Sequence, residues 1–129
     1  MDTYGCLYAC TDDRHNKYYF IADDQEVVGC DCYYGRIETL ARGNFSNQYR
    51  YHMVARDKEN EKVRKWKRKG ENYVLIFQDN GPFEYLKERA VAWARTGGRT
   101  SMAPRPKEFY EPEPEPVGEA MSGWFNNAK

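Results

Sequence analysis

Tyrosine takes the place that leucine holds in most globular chains. The sequence has eleven Tyr but four Leu, and Leu, Ile and Val together number fourteen in 129 residues. So low an aliphatic content by itself signals disorder. Six Phe and three Trp raise the aromatic count to twenty, however, and Lys+Arg 20 balances Asp+Glu 20, leaving no net charge. A disordered chain lacks both features. The chain is therefore expected to fold around a largely aromatic core. Each buried Tyr needs a partner for its hydroxyl, so part of this set is expected at a surface, where a ring can stack on a ligand.

The length suits one compact domain plus a tail. No stretch approaches the ~18 apolar residues of a membrane span, so no membrane partner is expected. The N-terminal stretch has Asp2 and no basic-then-apolar signal pattern, so a cytoplasmic location (the host cytoplasm if it is viral) with reduced cysteines is expected. The charge balance hides a division. Up to residue 107 there are nineteen bases and fifteen acids, a net of +4, whereas residues 108–129 hold five acids and one base.

Alternation predicts strands over residues 3–10, 17–22 and 26–38. In the first, Tyr4, Cys6, Tyr8 and Cys10 share one face and Gly5, Leu7 and Ala9 the other. In the third, Val28, Cys30, Cys32 and Tyr34 share a face. Residues 11–16 are turn chemistry, and residues 49–54 fit either a fourth strand or a helix start. Residues 57–69 read as a helix with acids first and bases last, matching the macrodipole, and Gly70 stops it. Residues 73–77 suit a strand, Asn80-Gly81 a turn, and Pro82 the first position of a second helix. That helix carries Phe83, Leu86, Ala90 and Trp93 on one face and ends at Gly97-Gly98. The division is residues 1–99 as a domain with a C-terminal helical extension, and 100–129 as a flexible Pro/Glu-rich tail ending in an aromatic segment. The fold class is α+β: a small antiparallel sheet with a basic helix and a second amphipathic helix packed on it.

The basic helix is the strongest candidate for chemistry. Lys58, Lys62, Lys65 and Lys69 fall within one narrow arc, roughly 16 Å long at 1.5 Å per residue. Val63 and Trp66 point aside as anchors, with Arg64 and Arg68 on the flank. Such a stripe either neutralises several backbone phosphates or is a solvated face. The four cysteines would converge if their strands were neighbours, but the spacing does not suit the usual zinc knuckles, and buried thiols are the ordinary reading. Neither His15 nor His52 sits by a recognisable nucleophile, and no glycine-rich loop precedes a helix. No catalytic residue, metal or cofactor is expected. In the tail, Trp124 and Phe125 after a charged proline-spaced linker look like a docking peptide for a protein partner.

Four segments between Tyr4 and Tyr73 together resemble the WGR domain, a module named for its Trp-Gly-Arg signature. Asn16-Lys17-Tyr18-Tyr19 is similar to the family's Asn-Lys-Phe/Tyr-Tyr strand start. Tyr34-Gly35-Arg36-Ile37 stands where Trp-Gly-Arg-Ile/Val would stand. Residues 62–69 resemble the charged helix with its aromatic anchor, here Trp66, and Lys69-Gly70 with Tyr73 resembles the closing Lys-Lys-Gly-Tyr. Tyr34 replaces the signature Trp, and Glu38 stands where a Gly is usual. The family occurs in small bacterial and viral proteins and in DNA-dependent poly(ADP-ribose) polymerases, and in the polymerases it binds nucleic acid at a strand end.

The resemblance implies a non-catalytic accessory protein that binds nucleic acid, DNA ahead of RNA. Tyr34, with Tyr33 beside it, would stack. Arg36 would contact phosphate or brace the site. Lys58, Lys62, Lys65 and Lys69, with Arg64 and Arg68, would neutralise phosphates. The alternative is an adaptor or inhibitor, viral in origin for instance, that docks on a nucleic-acid-processing complex through Trp124 and Phe125.

Overall fold

The first strand is apolar on both faces, so it can be stable only with cover on both sides. The computed structural model describes residues 2–12, 15–24, 26–45 and 47–98, and provides that cover. The predicted tail with Trp124 and Phe125 lies outside the described residues, as do positions 13–14 of the first turn. Strands β1 (Thr3–Asp12), β2 (His15–Asp23), β3 (Cys30–Arg36), β4 (Gln48–Tyr51) and β5 (Val74–Gly81) form one sheet in the order β4-β3-β2-β1-β5. All four pairings are antiparallel. Helix α2 (Ala55–Lys69) covers one face, and α1 (Ile37–Ala41) and α3 (Phe83–Arg95) cover the other. The α+β class, with a basic and an amphipathic helix on a small antiparallel sheet, is as the sequence led one to expect.

Alternation sorts the side chains into two cores. Leu7, Tyr18, Phe20, Tyr33, Leu86 and Trp93 pack under α1 and α3. Tyr4, Cys6, Tyr8, Tyr19, Cys32 and Trp66 pack under α2. Gly5 permits the close approach of α3: a Cβ there would lie 2.8 Å from Leu86 Cδ1. Helix α2 is held at its start by another element, since the Asp23 carboxylate on β2 accepts a 2.7 Å hydrogen bond from the Ala55 N–H. It ends at Gly70 in the left-handed region, φ 71°.

Three expectations are corrected. The strand predicted over residues 26–38 is shorter at both ends. The Asp24 carboxylate accepts hydrogen bonds from the N–H groups of Glu26 and Val27, at 2.7 and 3.1 Å, which turns the chain before Cys30 and leaves Val28 exposed. After Arg36 the chain enters α1, whose Ile37 and Leu40 are buried against the core that α3 shares. Asn80-Gly81 is not a turn but the end of β5, where Tyr4 pairs with Asn80 and Thr3 with Gly81. Pro82 is accordingly the residue that caps α3 and not its first helical one.

Candidate functional site

Helix α2 and strands β2, β3 and β4 enclose an open groove of about 470 Å³. Its floor is aromatic. Tyr19 on β2, Tyr34 on β3 and Tyr49 on β4 form a ladder of near-parallel rings. Tyr19 and Tyr34 lie 6.0 Å apart at 11°, and Tyr34 and Tyr49 lie 5.8 Å apart at 6°. The ladder follows from pairing: Tyr19 faces Tyr34 across β2–β3, and alternation puts Tyr49 on the same side one strand further. The inner wall is Trp66, edge-on to Tyr19 at 5.5 Å and stacked on Tyr73 at 4.2 Å.

The rim is cationic. Lys62, Lys65 and Lys69 line it from α2, and Lys17 and Arg36 from the ends of β2 and β3. Lys17 and Arg36 are paired across those strands. Glu71 is the single acid among the lining residues. The ammonium of Lys62 lies 4.7 Å from the centre of the Tyr19 ring and 5.8 Å from that of Trp66. Burial, with repulsion from Lys65 and Lys58, holds the Lys62 ammonium below the usual lysine range. Arg36 is well exposed and lies 3.6 Å from the Glu38 carboxylate, a surface pair of small energy that leaves its guanidinium open to a competing anion.

The groove thus brings together Tyr34, Arg36, Lys62, Lys65 and Lys69 of the expected site. Four expected members are elsewhere. Lys58 is buried. Its ammonium hydrogen-bonds Glu61 at 2.5 Å and sits 3.6 Å from the centre of the Tyr51 ring, so it is neutralised before any ligand arrives. Tyr33 points to the opposite face because neighbouring strand residues alternate, and it is buried against Phe20, Phe45 and Phe83. Arg64 and Arg68 are exposed on α2 but outside the groove lining. Sequence reasoning did not count Lys17, Tyr19, Tyr49, Tyr51, Trp66 or Tyr73 as site residues. The pairing of β2 with β3 was the signal for Lys17, whereas β4 could not be told from a helix start.

Beneath α2 lies the contact that fixes its position. Glu59 is buried, and its carboxylate accepts hydrogen bonds from the hydroxyls of Tyr4 and Tyr8, each at 2.5 Å, and from Gln78 Nε2 at 2.6 Å. Here two of the many tyrosines find their hydroxyl partners. The cysteines are all buried. Strand β2 separates β1 from β3, so Ile21 stands between Cys6 and Cys32 and the condition for four converging thiols is not met. Among the described residues no group of three or more His, Cys, Asp or Glu is placed to hold a metal ion, and no helix is long and apolar enough to cross a membrane. His52 is exposed. Comparison with family models, with curated proteins and with solved structures gave no match.

Proposed function

We propose that this chain is a non-catalytic, WGR-like accessory protein that binds nucleic acid, DNA ahead of RNA. One observation carries the reading: all four segments that resemble the family border the same groove. Lys17, Tyr18 and Tyr19 line it from β2. Tyr34, Gly35 and Arg36 line it from β3. Lys62, Lys65, Trp66 and Lys69 line it from α2, and Tyr73 closes it. These segments are scattered over nearly sixty positions of sequence, and cationic rim plus aromatic floor is the combination that a sugar-phosphate chain requires.

In this reading Lys62, Lys65 and Lys69 neutralise phosphates, with Lys17 and Arg36 adding charge from the sheet side. Release of condensed counterions drives association and makes it salt-dependent. Phosphate contact and ring stacking do not depend on base identity, so sequence preference is small. Repulsion among the α2 lysines already costs energy in the free protein, and a bound phosphate relieves it.

Titration of labelled single- and double-stranded oligonucleotides at two salt concentrations tests this. Binding at low salt that weakens at high salt is expected, as is its loss in the triple variant Lys62→Glu, Lys65→Glu, Lys69→Glu. No binding at low salt favours the protein adaptor instead. Binding that survives the triple reversal removes the groove as the contact surface.

A further inference from the structure

The ring that replaces the signature Trp has a near-parallel ring on each side. Tyr34 is flanked by Tyr19 on one side and Tyr49 on the other, both near-parallel to it. A base cannot stack on Tyr34 without displacing one of those rings. The open face belongs to the last ring of the ladder. Tyr49 lies on β4, the edge strand of the sheet, and it is 53% exposed, among the most exposed large apolar side chains described. It is also held in place. The neighbouring Tyr49 hydroxyl raises the Tyr34 phenol above the usual tyrosine range. The next residue, Arg50, ties β4 to its neighbours through the Asp31 and Asp24 carboxylates. A rigid, half-exposed ring costs little entropy when a second ring is laid on it.

Resting on the nucleic-acid reading above, we infer that the ligand is single-stranded and that one unstacked base lies on the outer face of Tyr49 as the fourth ring of the ladder. Its phosphates run back across the groove toward Lys17, Lys62 and Lys65. The interior of a duplex cannot satisfy this arrangement, because both faces of its bases are already covered by neighbouring pairs. Tyr49 is then the residue that sets strand preference, while the lysines set overall affinity. Ring stacking is indifferent to base identity, so the preference is for strandedness and not for sequence.

The test uses the full chain and a 2-aminopurine-containing oligodeoxynucleotide, alone and annealed to its complement. The single strand is expected to bind at least ~10-fold tighter than the duplex, with the 2-aminopurine emission quenched on binding. Tyr49→Ala and Tyr49→Leu are expected to weaken single-strand binding about 5- to 150-fold, to abolish the quench and to weaken duplex binding by a smaller factor. Tyr49→Trp is expected to keep both. Because the ring is half-exposed, circular dichroism of these variants should match the wild type. Equal affinity for both strand forms, or a Tyr49→Ala variant with undiminished affinity and quench, overturns the inference while leaving the lysine groove standing. Absence of binding to either oligonucleotide removes the groove reading and the inference with it.

Discussion

The ammonium of Lys62 stands 4.7 Å from the centre of the Tyr19 ring, joining the charge of α2 to the aromatic floor of the sheet. The side chain is half-buried there, and burial with repulsion from Lys65 and Lys58 lowers its pKa. A phosphate beside it favours the ammonium, so binding takes up protons between the lowered pKa of the free protein and the higher one of the complex. Affinity is therefore full below the free-protein value and falls as pH rises through that window. Oligonucleotide titration at constant salt from roughly pH 7 to pH 10 should show the fall in the wild type and its loss in Lys62→Arg, which stays charged. A flat wild-type profile contradicts this.

Glu59 sits beneath the same helix with three donors on its carboxylate. Glu59→Ala leaves the Tyr4, Tyr8 and Gln78 donors without that acceptor in a buried site. Each orphaned group costs about 1–3 kcal/mol before water or side-chain shifts relieve it. A loss of about 2–4 kcal/mol in urea unfolding is expected, with a smaller loss for Glu59→Gln, which retains shape and one acceptor oxygen. A loss under ~0.5 kcal/mol would mean that the network does not hold α2 to the sheet.

Burial of phenols makes the fold sensitive to alkali. Tyr73, stacked on Trp66, is pushed up to about 12 from 10.0, first by burial and then by Cys10 and Glu71. Tyr4, Tyr8 and Tyr19 are pushed higher still, chiefly by burial. Raised phenol pKa values give stability that is complete below the unfolded value of 10.0 and lost as pH climbs past it. Ultraviolet titration should show the exposed phenols ionising first. The buried ones should then ionise together, with loss of the folded circular dichroism signal, above about pH 10. Smooth independent ionisation of all tyrosines contradicts the two aromatic cores.

The legible parts of the fold were those where one periodicity runs unbroken. The Tyr4-Cys6-Tyr8 alternation gives β1, and the Lys62-Lys65-Lys69 spacing with Trp66 gives the face of α2 that meets the groove. What escaped depends on contacts between distant segments. Asp24 starts the turn before β3 through its own side chain, and the pairing of Asn80 with Tyr4 extends β5 through an apparent turn. Lys58 fits the lysine stripe by angle, yet Glu61 and the Tyr51 ring claim its ammonium. Tyr33 and Tyr34 are adjacent in sequence and equal in chemistry, and only the pleat separates them. Tyr49 lies on a strand of four residues, too short to declare a period, so the last rung of the ladder had no sequence signal.

The salt dependence of oligonucleotide affinity tests the groove most directly. Three to five cations, from Lys62, Lys65 and Lys69 to those three plus Lys17 and Arg36, give a slope of log affinity against log salt of about −2 to −3.5 for a single strand. Replacing Lys65 by Gln should make that slope shallower by about 0.7. A slope near zero, or one unchanged by losing Lys65, would contradict phosphate binding in this groove.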